Sequence, residues 1–110
     1  MSEEEQKRRH FRLRFPHRER PRMTTPEGTF PVVEISEGGT RIQFEGRPPS
    51  CFAQPVDVHI TFQDGTGVES RTVFFRIDKN EMILQFTKHI PMHVIISEQR
   101  RLLKRYYKGA

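Results

Sequence analysis

The chain has 110 residues, 34% hydrophobic and 30% charged, with a formal net charge of +5, a size that suits one compact domain and leaves no room for a second. No uninterrupted apolar stretch exceeds three residues, as in Val94-Ile95-Ile96, far short of the roughly 20 residues a bilayer-spanning helix needs, and the polar, acidic start Ser2-Glu3-Glu4-Glu5 is unlike a secretory signal. No membrane insertion is expected, and with Cys51 as the lone cysteine no intrachain disulfide can form, so a reducing, cytoplasmic compartment is the simpler expectation.

In chain order, residues 1–22 read as a basic, partly flexible arm. Lys7, Arg8, Arg9, Arg12, Arg14, Arg18, Arg20 and Arg22 face only Glu19, a net of +7 between residues 7 and 22. Residues 23–90 carry the barrel strands. Residues 23–25 and 30–35 flank the Pro26-Glu27-Gly28 turn, and 40–44 follows Ser36-Glu37-Gly38-Gly39. Gly46 to Pro55 contains three prolines and reads as a loop. Val56, Val58, Ile60 and Phe62 then alternate with Asp57, His59 and Thr61, the period of a half-buried strand. The turn Asp64-Gly65-Thr66-Gly67 predicts an antiparallel partner over 68–77, and Asp78-Lys79-Asn80 introduces another strand over 82–86.

Residues 91–110 close the chain with a helix. Met92, Ile95, Ile96, Leu102, Leu103 and Tyr106 recur at helical spacing after Pro91, and basic residues fall largely between them. Its start is placed either near Pro91 or at Ser97 as N-cap, because β-branched residues precede that serine. Five or six short strands followed by one helix imply an all-β fold, and at this length a closed barrel protects its edges best.

Positive charge sits at the two ends while residues 23–97 carry a net of −3. A general nucleic-acid barrel would carry its cations on the strands, interleaved with aromatics. A basic arm instead suits a small, dense anion or acts as a solvated tail, and spacing must decide between these. Two constellations supply that spacing: Arg8-Arg9-His10-Phe11-Arg12, an Arg-x-x-x-Arg pair, and Glu34-Ile35-Ser36-Glu37-Gly38-Gly39, a strand end running into a glycine turn. Guanidinium forks bind phosphates and the O6/N7 edge of guanine and stack on flat rings. A carboxylate at Glu34 can accept the N1–H and N2 donors of guanine's other edge, Ser36 adds a hydroxyl, and Gly39 permits close approach and unusual backbone angles.

In this order, the two motifs resemble the PilZ domain family, whose signature is Arg-x-x-x-Arg followed by Asp/Asn-x-Ser-x-x-Gly. Arg8 and Arg12 match the first half, Ser36 and Gly39 the second, and the resemblance covers nearly the whole chain. It implies a six-stranded antiparallel PilZ-type β-barrel with a C-terminal helix, a receptor for the second messenger cyclic di-GMP that does not turn it over. On that resemblance Arg8 and Arg12 wrap the ligand, Arg9 and Lys7 assist, and Glu34, Ser36 and Gly39 meet it from the barrel. Ligand binding is then expected to change the arm's conformation and to signal to an effector protein.

Position 34 is Glu where the pattern asks for Asp or Asn. The extra methylene displaces the carboxylate by ~1.5 Å, and a misplaced charged hydrogen bond costs about 1.5–3 kcal/mol. A PilZ-like protein-interaction module with weak or no nucleotide binding is therefore the alternative, and a nucleic-acid-binding barrel the second and less favoured one.

Other chemistry finds little support. Ser36 lacks a nucleophile elbow, and His89 and His93 are interrupted by Pro91 with no third ligand at metal spacing. No catalytic set, metal site or cofactor is expected, cyclic di-GMP being a ligand. Phe62, Phe74, Phe75 and Phe86 read as core by alternation, with Phe75 a minor candidate for a ligand wall.

Overall fold

The computed structural model describes residues 11–106. Seven strands appear in chain order: β1 Leu13–Arg14, β2 Arg22–Thr25, β3 Gly28–Ile35, β4 Gly39–Gln43, β5 Val56–Thr61, β6 Gly67–Asp78 and β7 Glu81–Phe86. Helix α1 spans Met92–Tyr106. All pairings are antiparallel, and β3–β2–β5–β6–β7–β4 closes back onto β3, so six strands form a barrel with no free ends to the sheet. Two-residue β1 lies outside this ring, laid along β3 with Leu13 opposite Ile35 and Arg14 opposite Glu34. It is too short to leave a periodic signal in the sequence.

The alternation over 56–61 does what its period dictates. Val58 and Ile60 are buried while Asp57 and His59 face outward, and Met23, Val32, Ile35, Ile42, Met82 and Leu84 converge on the same interior. At ~25 cal/mol per Å² of apolar area, such burial is the main force closing the ring. The turn before β6 uses Gly65 at φ +89°, while Thr66 donates its N–H to Asp64 Oδ1 at 2.9 Å. That backbone hydrogen bond holds the Asp64 carboxyl below its usual range.

The helix begins directly after Pro91, with Ser97 inside it rather than capping it. Proline tolerates the first turn because its missing N–H would be unpaired there anyway. Burying Ile95 and Leu102 in the common core overrides the modest helix penalty of the β-branched residues.

Two expectations about aromatics need correction. Phe62 and Phe86 are core, but Phe74 is 46% and Phe75 53% exposed. The ladder explains this: β5 begins at Val56, opposite Thr72, so past Thr72 β6 runs on beside β7 with no paired strand on its other edge. The register of β6 against β7 also shifts between Phe74 and Arg76, leaving Phe75 as the extra residue of a bulge. Gly46–Pro55 is a loop as its prolines suggest, but it folds a 3₁₀ turn at Cys51–Ala53 that buries Phe52.

One buried ionic cluster joins the start of the chain to its end. Glu19, in the 3₁₀ turn His17–Glu19, is 4% exposed. It accepts a hydrogen bond from Arg101 Nη1 at 2.8 Å and from the Tyr106 hydroxyl at 3.2 Å, and it pairs with Arg105 Nε at 2.8 Å. Arg101 also grips Glu98 with Nε at 2.9 Å and Nη2 at 3.2 Å. The Arg101 hydrogen bond outweighs burial and holds the Glu19 carboxyl below the usual range, and Arg101 is in turn raised, its hydrogen bond to Glu98 being the largest cause.

Candidate functional site

The site is built by cross-strand register. Glu34 on β3 lies opposite Arg14 of β1 on one side and Arg41 of β4 on the other; Arg41 faces Ile83 of β7, and Ile83 faces Arg76 of β6. One transverse row therefore carries three arginines and one glutamate on the outer face of the barrel, since residues directly opposite share a face. A second row, Gly39–Gln85–Val73, lies beside it. Between the rows, the bulge at Phe75 re-aims the end of β6, as bulges do.

These rows floor a groove of about 350 Å³ whose lining includes Arg12, Glu34, Ser36, Gly39, Arg41 and Phe75. The residues expected from the two motifs, Arg12 in the arm and Glu34, Ser36 and Gly39 on the barrel, are thus brought together on one surface. Arg8, Arg9 and Lys7 lie outside the described residues. Arg41, Arg76 and Gln85 also line the groove and were missed by sequence reasoning, because only strand register reveals them.

Each motif residue has a local physical reason to be where it is. Ser36 closes the β3–β4 turn on itself: its hydroxyl donates to Gly39 O and accepts the Gly39 N–H, both at 3.2 Å, and its backbone N–H donates to the same carbonyl at 2.8 Å. Gly39 is required for space. A Cβ there would sit 2.8 Å from the Leu84 carbonyl oxygen of β7, closer than real Cβ atoms approach. Its φ is not positive, so the glycine is needed for the approach of β7 and not for an unusual backbone angle. Thr40 Oγ1 donates to the Glu34 carbonyl at 2.8 Å and fixes the strand there.

The charges in and beside the groove are unevenly matched. Arg14 Nη1 stands 3.9 Å from Glu34 Oε1, with the arginine side chain 65% exposed. Arg41 Nη1 is held by Glu81 Oε1 at 3.0 Å and Asp78 Oδ2 at 3.3 Å; burial opposes its charge, but these partners outweigh burial and raise its pKa. Arg12 has no ion pair among the described residues. The surface therefore offers cationic forks, one carboxylate and an exposed aromatic ring, the equipment for an anion bearing flat polar bases.

A larger cavity of about 750 Å³ lies at the β2, β5 and β6 faces, lined by Asp57, His59, Glu69, Arg71 and Lys88. Within it, Arg71 Nε pairs with Asp57 at 3.4 Å, and His59 Nδ1 lies 3.6 Å from Glu69. Among the described residues no group of three or more His, Cys, Asp or Glu is placed to hold a metal ion, and no helix is long and apolar enough to cross a membrane.

Fold and groove together define a closed six-stranded β-barrel with a C-terminal helix and an arginine-lined groove beside its N-terminal segment. The PilZ domain family model matches residues 6–109, and the chain belongs to that family. Solved structures agree on the fold. The PilZ domain of YcgR from Escherichia coli, solved with c-di-GMP, superposes with a TM-score of 0.70 at 16% identity over 92% of this chain and 98% of that one. An uncharacterized Legionella protein gives 0.62 at 18% identity, over 89% and 99% of the two chains. MrkH of K. pneumonia, solved as its c-di-GMP complex, gives 0.61 at 13% identity over 93% of this chain, which spans about half (52%) of that protein. No curated protein matches the sequence.

Proposed function

We propose that this protein is a cyclic di-GMP receptor that binds the dinucleotide in the groove beside β3 and β4 and does no chemistry on it. The observation that carries this reading is the convergence of Arg12 with Glu34, Ser36 and Gly39 of the strand end far from it in sequence on one groove. Membership of the PilZ family and the c-di-GMP bound by YcgR and MrkH support the choice of ligand.

Arg12 engages a phosphate or the O6/N7 edge of a guanine through its planar fork. Glu34 accepts from the N1–H and N2 donors of guanine. Ser36 and Gly39 serve mainly as architecture, since the serine hydroxyl is committed to the turn and the glycine admits β7. Arg8 and Arg9 complete the cationic grip from the arm, and closure of residues 7–14 on the ligand alters a surface that an effector protein reads.

Calorimetry with cyclic di-GMP tests the reading, with GMP and cyclic di-AMP as controls. Saturable heat is expected for cyclic di-GMP, reduced strongly in Arg8→Ala and Arg12→Ala. Absence of heat at high protein concentration would instead favour an interaction module without nucleotide. Chemical shifts of amides 7–14 are expected to move on titration, and unchanged signals there would remove the arm from the mechanism.

A further inference from the structure

We propose that Phe75 is the stacking platform for one guanine of the bound dinucleotide, an inference that rests on the cyclic di-GMP reading above and adds to it the residue that holds a base by its face. Phe75 is the extra residue where β6 slips against β7. Having no cross-strand partner, it is free of the ladder's alternation and enters the groove lining together with Arg12, Glu34 and Ser36. Its ring is 53% exposed, and the guanidinium carbon of Arg76 lies 5.8 Å from the ring centroid, within reach of a cation–π contact.

The bulge conveys the same message. A bulge interrupts a ladder and leaves one residue unpaired, and such features concentrate where a side chain is re-aimed towards a site. Here the side chain gained by the groove is a flat apolar surface between cationic forks. Every base has a π-face, so Phe75 supplies affinity for a stacked base, while Glu34 distinguishes guanine by its hydrogen-bonding edge. Phe74 and Ile77, 46% and 43% exposed on the same end of β6, are outside the groove lining. They provide matched controls for exposed apolar surface that does not meet ligand.

The test uses the full chain and its freedom from tryptophan, which makes Phe75→Trp a single-fluorophore reporter. Cyclic di-GMP is titrated by calorimetry into wild type, Phe75→Ala, Phe75→Leu and Phe74→Ala, and by fluorescence into Phe75→Trp. The expected result is an affinity loss of about tenfold or more in Phe75→Ala, a similar loss in Phe75→Leu despite its apolar bulk, no change in Phe74→Ala, and saturable quenching of the indole emission in Phe75→Trp. Wild-type affinity in Phe75→Ala, full rescue by leucine, or ligand binding that leaves the indole emission unchanged would each overturn the platform while leaving the receptor reading intact. Absence of wild-type heat would overturn both.

Discussion

Two of the places where arginine meets glutamate in this molecule contrast sharply. In the cluster that ties the start of the chain to α1, Glu19 is 4% exposed and is met by Arg101 and Arg105 at 2.8 Å each, with Tyr106 completing its shell. In the groove, Glu34 meets Arg14 only at 3.9 Å, on a solvated rim. Buried charges must be fully matched, because removing one partner strands the other in low dielectric. Exposed charges left loosely matched contribute little to stability and remain available to a ligand. The same residue types thus hold the fold together at one place and stay open to solvent at the other.

The contrast can be broken by substitution, and the largest effect is expected at the closed cluster. Glu19→Ala leaves Arg101 and Arg105 without their shared acceptor and is expected to lower stability by about 3 kcal/mol, read as the shift in urea midpoint at constant slope. Cyclic di-GMP affinity of the folded fraction should be unchanged. A loss of affinity as large as the loss of stability would show that cluster and groove are one system.

Next comes Gly39→Ala. Its Cβ meets the Leu84 carbonyl at 2.8 Å, a backbone atom that cannot swing away, so β4 and β7 must part. A destabilisation of about 2 kcal/mol is expected, with weaker ligand binding because the groove floor moves. Unaltered stability would mean that the two strands can separate freely.

Acid sharpens the same comparison. The Glu19 carboxyl is depressed in the folded state below its ordinary value of 4.5, so its contribution is fully present above the unfolded value. It is lost as pH falls through the folded one. Stability should therefore decline below about pH 4.5, and Glu19→Gln should flatten that decline. An identical acid profile in the variant would assign acid lability elsewhere.

The smallest expected change is at Glu34. Shortening it by one methylene in Glu34→Asp leaves stability nearly untouched, since its ion pair is exposed. Cyclic di-GMP affinity should rise by about tenfold if the carboxylate now reaches the guanine edge at better length. A fall in affinity would show that Arg14 and Arg41 hold the longer side chain where the base needs it.

Most of the barrel was legible in the residues because its strands are half-buried and alternate. Val56 to Phe62 is the clearest case. The helix was legible too, though its start was not: Ser97 carries a capping signal that burial of Ile95 overrides. Alternation failed at Phe74 and Phe75, since a period of two says which face a side chain takes and not where the neighbouring strand ends. Motif spacing pointed to Arg12, Glu34, Ser36 and Gly39 but not to Arg41 or Arg76, which reach the groove through pairings set by register. Glu19 and Arg101 stand 82 residues apart, a separation over which no local pattern could join them.

The central claim, that Arg12 of the groove is reserved for ligand while the Glu19 cluster serves the fold, is tested most directly by thermal melting of wild type and Arg12→Ala with and without cyclic di-GMP. Saturating ligand at about 100 times its dissociation constant stabilises a receptor by about 2.7 kcal/mol, several degrees for a domain of this size. The account predicts that shift in wild type, equal melting of the two unliganded proteins, and little or no shift in Arg12→Ala. An Arg12→Ala protein that melts markedly lower without ligand, yet is stabilised by cyclic di-GMP as fully as wild type, would contradict it.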